Sequence, residues 1–230
     1  MNRLRIATLA SFGMILCAAV AVLAFDADFD PSTYNPMAAE VVNFEVCQPC
    51  LGGTGFDFAW DFDGNGVAET ETADDLVTYA FASEGYYEVV LTVEDAGGRT
   101  SVSRQGVFVG STPAFATREL LPEDGGSILV LISVYCNEDI TGGIGFVESM
   151  PQGWQLETVD PGGAVTKPNS ELRQLEVGWM SAYDAGDVLT FTYRLHPAYS
   201  SSLPRLFGEL SGYTGGHRFL TGITGHLTLP

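Results

Sequence analysis

The chain has 230 residues, 29 of them acidic and 10 basic, for a formal net charge of −19 at pH 7. Such a surface repels nucleic-acid phosphates and anionic lipid headgroups and leaves cations and basic surfaces as the favoured partners. The acidic excess is uneven, with 16 acidic and 2 basic side chains in residues 25–110 against 13 and 6 in residues 111–230.

Arg3 and Arg5 open a short cationic start, Ile6 to Ala24 is an almost uncharged apolar run, and Val22-Leu23-Ala24 reads as a cleavage site. That is the layout of a secretory signal over residues 1–24. The run exceeds the about 7–15 residues of an ordinary signal core and nears the roughly 20 that span a bilayer, so an uncleaved N-terminal anchor is the alternative. A lipid anchor on Cys17 is disfavoured by Leu16, where a lipoprotein signal usually has a small residue. Either way the rest of the chain is expected outside the cytoplasm, secreted or at the cell surface. No membrane contact is expected beyond that anchor.

Beyond the signal the apolar residues alternate instead of following a helical period. In VVNFEV, Val42, Phe44 and Val46 fall on one side. Phe56, Phe58, Trp60 and Phe62 share a side in the next segment, with Asp57, Ala59 and Asp61 opposite. Val89, Leu91 and Val93 alternate with Glu88, Val90, Thr92 and Glu94. Side chains flip with period two along a strand, so each segment offers an apolar face to a core and a polar face to water. Between the first two segments stands Cys47-Gln48-Pro49-Cys50. It lacks the βαβ context of a redox pair, and outside the cytoplasm Cys47 and Cys50 are expected to form a local disulfide. Zinc would need a second ligand pair, and none has suitable spacing. Cys136 is left over, either buried or available for pairing.

Residues 110–126, with Pro113 and Pro122, read as a linker or a first edge strand. SILVLISVY follows, apolar almost throughout, and is expected to be central in its sheet or buried on both faces. IGFVE, GWQLETV, LRQLEVGWM, DVLTFTYRL and a terminal GHLTL come next, separated by glycine, proline and aspartate clusters. Leu189, Phe191, Tyr193 and Leu195 alternate cleanly within this set. Short strands at about ten-residue spacing indicate an all-β chain of sandwiches or barrels. Segments of about 85 and 120 residues are each long enough for a core, so two tandem β-sandwiches, 25–110 and 111–230, are expected.

Two motifs in the first segment carry a family signal. FAWDFDGNG resembles an aromatic strand running into Trp-Asp-Phe and a glycine-rich turn. Tyr79 to Gly98 resembles H-x-Y-x-x-P-G-x-Y-x-V-x-L-x-V-x-D-x-x-G through Phe81, Gly85, Tyr87, Val89, Leu91, Val93, Asp95 and Gly98. Tyr79, Phe81 and Glu84 replace the usual histidine, tyrosine and proline. Residues 26–110 thus resemble the PKD (polycystic kidney disease) domain family. The resemblance implies a seven-stranded immunoglobulin-like sandwich of extracellular proteins, a spacer or a mediator of protein or carbohydrate contact, and no activity. Met150–Trp154 and Leu175 to Pro197 more loosely resemble the Ig-like repeats of prokaryotic surface proteins over residues 115–230.

Asp61-Phe62-Asp63-Gly64-Asn65-Gly66 spells D-x-D-x-N-G, the front half of a calcium loop, with Glu69 and Glu71 close behind. Asp61, Asp63 and Asn65 are therefore the candidate ligands for calcium, the one cofactor suggested. Thr72 stands where the bidentate carboxylate normally lies, and the other reading is a tight turn held by side-chain-to-backbone bonds. Trp60 is expected in the core. Trp154 and Trp179 are expected there too, against the alternative that they stack on sugar rings. His217 and His226 flank a turn and could meet across a hairpin; His196 lies apart. Nucleophile-elbow, zincin, phosphate-loop and dinucleotide motifs are missing, and no triad spacing is visible, although a fold can assemble one from afar.

The expected protein is non-catalytic, an interaction, adhesion or spacer module whose partner is a protein or a polysaccharide. The alternative is a carbohydrate-binding accessory of a secreted hydrolase system, using aromatics such as Trp154, Tyr183 or Tyr213. The ligand itself is not legible in the sequence.

Overall fold

The computed structural model describes residues 25–169, 172–198 and 205–228. The signal or anchor reading of residues 1–24 lies outside the described residues. The first half contains β1 (Phe29–Pro31), β2 (Val41–Val46), a helical turn α1 (Gln48–Leu51), β3 (Phe56–Asp61), β4 (Thr70–Thr72), β5 (Leu76–Ala80), β6 (Gly85–Asp95) and β7 (Thr100–Val109). Then come β8 (Ala114–Pro122), β9 (Ile128–Cys136), β10 (Ile144–Ser149), β11 (Trp154–Asp160) and β12 (Val165–Asn169). β13 (Gln174–Trp179), β14 (Val188–Pro197), β15 (Gly208–Thr214), β16 (His217–Gly222) and β17 (Thr224–His226) complete the order.

The first core lies between the sheet β1-β2-β5 and the strands β7-β6-β3-β4. The period-two rows point into it: Val42, Phe44 and Val46 are buried, with Phe58, Trp60, Val89, Leu91 and Val93 from the facing strands. Trp60 has no exposed surface, and the rings of Phe29, Phe44 and Phe62 lie 5.1, 5.9 and 5.8 Å from it. α1 tucks Leu51 into the same cluster. A disulfide between Cys47 and Cys50, their Cα atoms 5.3 Å apart, closes this turn. The Asp26 N–H donates to the Cys50 carbonyl and the Cys47 N–H to the Asp28 carbonyl, so the clip holds residues 26–28 in place.

The second core lies between β11-β14-β9-β8 and the five-stranded sheet β12-β13-β10-β15-β16. Every other residue of β9 is buried, from Ile128 to Cys136, and β9 is central, between β8 and β14. Cys136 is buried, which pushes its thiol pKa up. Pro168 falls on the edge strand β12, where a missing N–H does least harm.

Residues 110–126 differ from the linker or edge strand expected. β8 is an interior strand, antiparallel to β9 over nine residues and parallel to β17. Its inward row is Ala114, Ala116, Arg118 and Leu120, and the arginine in that row disguised its apolar side. The Arg118 guanidinium has no exposed surface and meets the equally buried Glu148 carboxylate at 2.7 and 2.9 Å. Burial works against the Arg118 charge, but the Glu148 carboxylate outweighs it and the pKa rises.

β17 joins the two halves. Gly225 pairs with Arg118 of β8 on one side and with Gly106 of β7 on the other. One nine-stranded sheet, β11-β14-β9-β8-β17-β7-β6-β3-β4, therefore runs past both cores. Gly225 sits at φ +78°, and a Cβ there would overlap the Arg118 carbonyl, so the close approach requires glycine. Polar contacts reinforce the seam: His226 Nε2 lies 3.0 Å from Asp28 Oδ1, and Asn137 Nδ2 donates to Asn35 Oδ1 at 3.1 Å.

Four phenols carry raised pKa values, that of Tyr79 through burial and then the Glu69 charge. Burial, then the Glu148 charge, raises Tyr193 well above the ordinary 10.0. Burial, then the Asp30 charge, raises Tyr34, and burial pushes Tyr86 up to about 12. Between the unfolded and folded values the native chain keeps phenol protons that the unfolded chain has lost. Stability is therefore expected to hold up to about pH 10 and to fall as pH rises further. Urea midpoints at pH 8 and pH 11 test this, with Tyr193→Phe expected to shrink the difference.

Candidate functional site

Asp61, the last residue of β3, is buried rather than facing water. Its Oδ1 accepts the N–H groups of Gly64 at 2.7 Å and Asn65 at 3.2 Å, and its Oδ2 that of Gly66 at 2.7 Å. Asp63 Oδ1 accepts the Asn65 N–H at 3.1 Å, and Asn65 Oδ1 the Val67 N–H at 2.8 Å. The motif is a tight turn whose donors are met by its own side chains. Asp61, Asp63 and Glu69 bring carboxylate oxygens within 4.8 Å of one another, a hard-oxygen set that could hold a divalent cation. Glu69 Oε2 also accepts the Phe62 N–H at 2.7 Å. Asp61→Ala is expected to destabilise the chain by about 1–3 kcal/mol, because three turn N–H groups lose their shared, buried acceptor. Urea unfolding with and without calcium reads this. A calcium-dependent gain in the parent that Asp63→Ala abolishes would make the cluster a metal site instead.

The fold also assembles a row that spacing did not reveal. Ser127 Oγ lies 3.1 Å from His196 Nδ1, and His196 Nε2 lies 3.0 Å from Glu157 Oε2. The order is nucleophile, base and carboxylate. However, Arg194 also donates to Glu157 Oε2 at 3.0 Å and clasps Glu123 at 2.6 and 3.1 Å. Bonds from His196 and then Arg194 lower the Glu157 pKa, and the bond from Arg194 lowers that of Glu123. The imidazole is 42% and the carboxylate 55% exposed, so water screens the pair that would activate the serine. The row reads as a surface ion network between β11 and β14.

His217 pairs across the β15–β16 hairpin with Thr214, whereas His226 lies on β17 beside Asp28, so these histidines do not meet. Trp179 is buried, its indole N–H donating to the Gly162 carbonyl at 3.0 Å. Trp154 and Tyr183 are half-buried against the second core. Among the described residues, Tyr86, Phe207 and Tyr213 are the exposed aromatics. Two of these line a groove of about 450 Å³ where β6 meets the five-stranded sheet, together with Ser149, Gln174 and Glu209. Only pairing of distant strands creates this groove, and no sequence motif marks it.

Paired sheets enclosing two apolar cores make this an all-β protein of sandwich architecture. Residues 33–106, about a third of the chain, match the family model described as PKD domain. No curated protein matches the chain. Among solved structures it is similar to chitinase ChiA74 from Bacillus thuringiensis, at 13% identity and TM-score 0.39 over 74% of this chain. The match covers 26% of the chitinase, so the chain spans about a quarter of that enzyme. It is also similar to a carbohydrate-binding module of the β-sandwich superfamily, at 16% identity and TM-score 0.35, covering 89% of this chain and 98% of the module. Collagen adhesin from S. aureus shows 10% identity and TM-score 0.35, covering 88% and 92% of the two chains.

Proposed function

We propose that the chain is a non-catalytic module acting outside the cytoplasm, where it holds a binding surface in a fixed position toward a protein or polysaccharide partner. The observation that carries this reading is the nine-stranded sheet running through both cores. Domains joined by a linker move relative to one another by default, and a shared strand removes that freedom. In this reading residues 25–110 form the PKD-like sandwich and residues 111–230 the second, coupled as one stiff body. The PKD match and a disulfide suited to an oxidising compartment support an extracellular setting.

The purified chain is expected to be retained by at least one extracellular polymer on combined glycan and matrix-protein arrays. It is expected to release no product from pooled ester, peptide and glycoside substrates. Turnover that Ser127→Ala abolishes would overturn the reading and make the exposed Ser127–His196–Glu157 row an active site.

A further inference from the structure

We propose that the groove at the junction of the two sandwiches binds a neutral polysaccharide; this rests on the module reading above and names its ligand. Two aromatic rings are set in place before any ligand arrives. The Tyr86 hydroxyl donates to the Ile223 carbonyl at 2.9 Å. Its ring lies across Gly106 and Gly222, where a Cβ on the first would overlap the hydroxyl end and one on the second would stand 2.7 Å from the ring edge. Tyr86 nevertheless remains 42% exposed. Phe207 is 50% exposed and carries the Arg205 guanidinium 4.9 Å from its ring centroid. Arg205 is in turn paired with Glu88, whose Oε1 accepts from Arg104 at 3.0 Å. Rings fixed in this way lose little freedom on binding.

The rest of the lining selects the ligand class. Ser149, Gln174 and Glu209 add a hydroxyl, an amide and a carboxylate between apolar surfaces. A pyranose matches this with a C–H face for the rings and a rim of hydroxyls for the polar groups. The groove volume of about 450 Å³ falls within the usual range for small-ligand sites. Glu209 is the one charged group lining the groove among the described residues, in a chain of net charge −19, so polyanions are repelled. An extended peptide is a poor fit for a different reason. β6 is bonded to β3 and β7, β10 to β13 and β15, and β15 to β10 and β16, and the outer strand β16 adds only its last residue, Gly222, so the lining offers no length of free strand edge for a peptide to join.

Affinity gel electrophoresis of the full chain in soluble β-glucan, xylan and galactomannan, with alginate as the polyanionic control, tests the proposal. Retardation by at least one neutral polymer and not by alginate is expected. Phe207→Ala and Gln174→Ala are each expected to weaken it at least tenfold while the thermal midpoint stays at the parent's. Retardation unchanged in Phe207→Ala would overturn the site. So would a chain retained by matrix proteins but by no neutral polysaccharide, although the module reading would survive that result. A dimer that Phe207→Ala converts to monomer in light scattering would also overturn it, because a second copy would then fill the groove.

Discussion

Replacing Arg118 with methionine is expected to lower the stability of the folded chain by about 3–5 kcal/mol in urea unfolding. Neither Arg118 nor Glu148 has any exposed side-chain surface. Taking two charges out of water costs several kcal/mol per ion, and the close pair offsets that cost only while both partners are present. Arg118 further donates to the carbonyls of His226 at 2.9 Å and Leu206 at 3.4 Å, which ties it to β17 and to the segment before β15. Without the guanidinium, Glu148 is left as an uncompensated buried charge. Glu148→Leu creates the converse defect and is expected to cost a similar amount. The double variant Arg118→Met/Glu148→Leu is expected to recover at least half of either loss, because no charge then remains buried. Full recovery is not expected, since the His226 and Leu206 carbonyls still lose a donor. A single variant within about 0.5 kcal/mol of the parent would show that water reaches the pair, contrary to the structure.

Trp60→Ala is expected to cost about 3–5 kcal/mol, as large-to-small changes of a fully buried tryptophan do. The ring projects from β3 onto Phe29 and Phe44 of the facing sheet and lies beside Phe62 of the turn after β3, so its removal opens a cavity between the two sheets. A loss below about 1 kcal/mol would mean that the ring is not the centre of the first core. The same variant measures how tightly the halves are coupled. With Trp60 gone, the remaining tryptophans, Trp154 and Trp179, both report on the second core. Their fluorescence midpoint is expected to fall together with the circular-dichroism midpoint, as it must if the shared sheet unfolds as one unit. A fluorescence midpoint left at the parent's value would show that the cores melt separately.

The inward rows were legible because period two is a local property. Val42, Phe44, Trp60, Leu91, Phe191 and Tyr193 are buried where alternation places them. Asp61 breaks the rule for a local reason. It lies at the end of its strand, where turning inward lets one carboxylate serve three backbone donors. Arg118 breaks it for a distant one, since its inward position is tolerable only because Glu148 arrives from a strand 30 residues further on.

The candidate binding site was less legible than the fold. Trp154, Tyr183 and Tyr213 were the aromatics the sequence offered for stacking on sugars, yet the core takes up the first two in part. Tyr86 and Phe207, in contrast, carry no signal. Tyr86 sits on a strand in the first half and Phe207 directly before one in the second. What exposes them together is the pair of glycines, Gly106 and Gly222, over which the Tyr86 ring lies.

Alternation along the chain was enough to set the all-β class, the strand faces and most of the core. Each of these depends on side chains within a few residues of one another, where sterics and burial act without reference to the rest of the molecule. Strand partnership decided the remainder. The shared sheet, the buried ion pair and the junction groove join residues separated by as many as 137 positions, as in the Tyr86–Ile223 bond. Their energies are gained only after long loops have closed, so no local pattern records them.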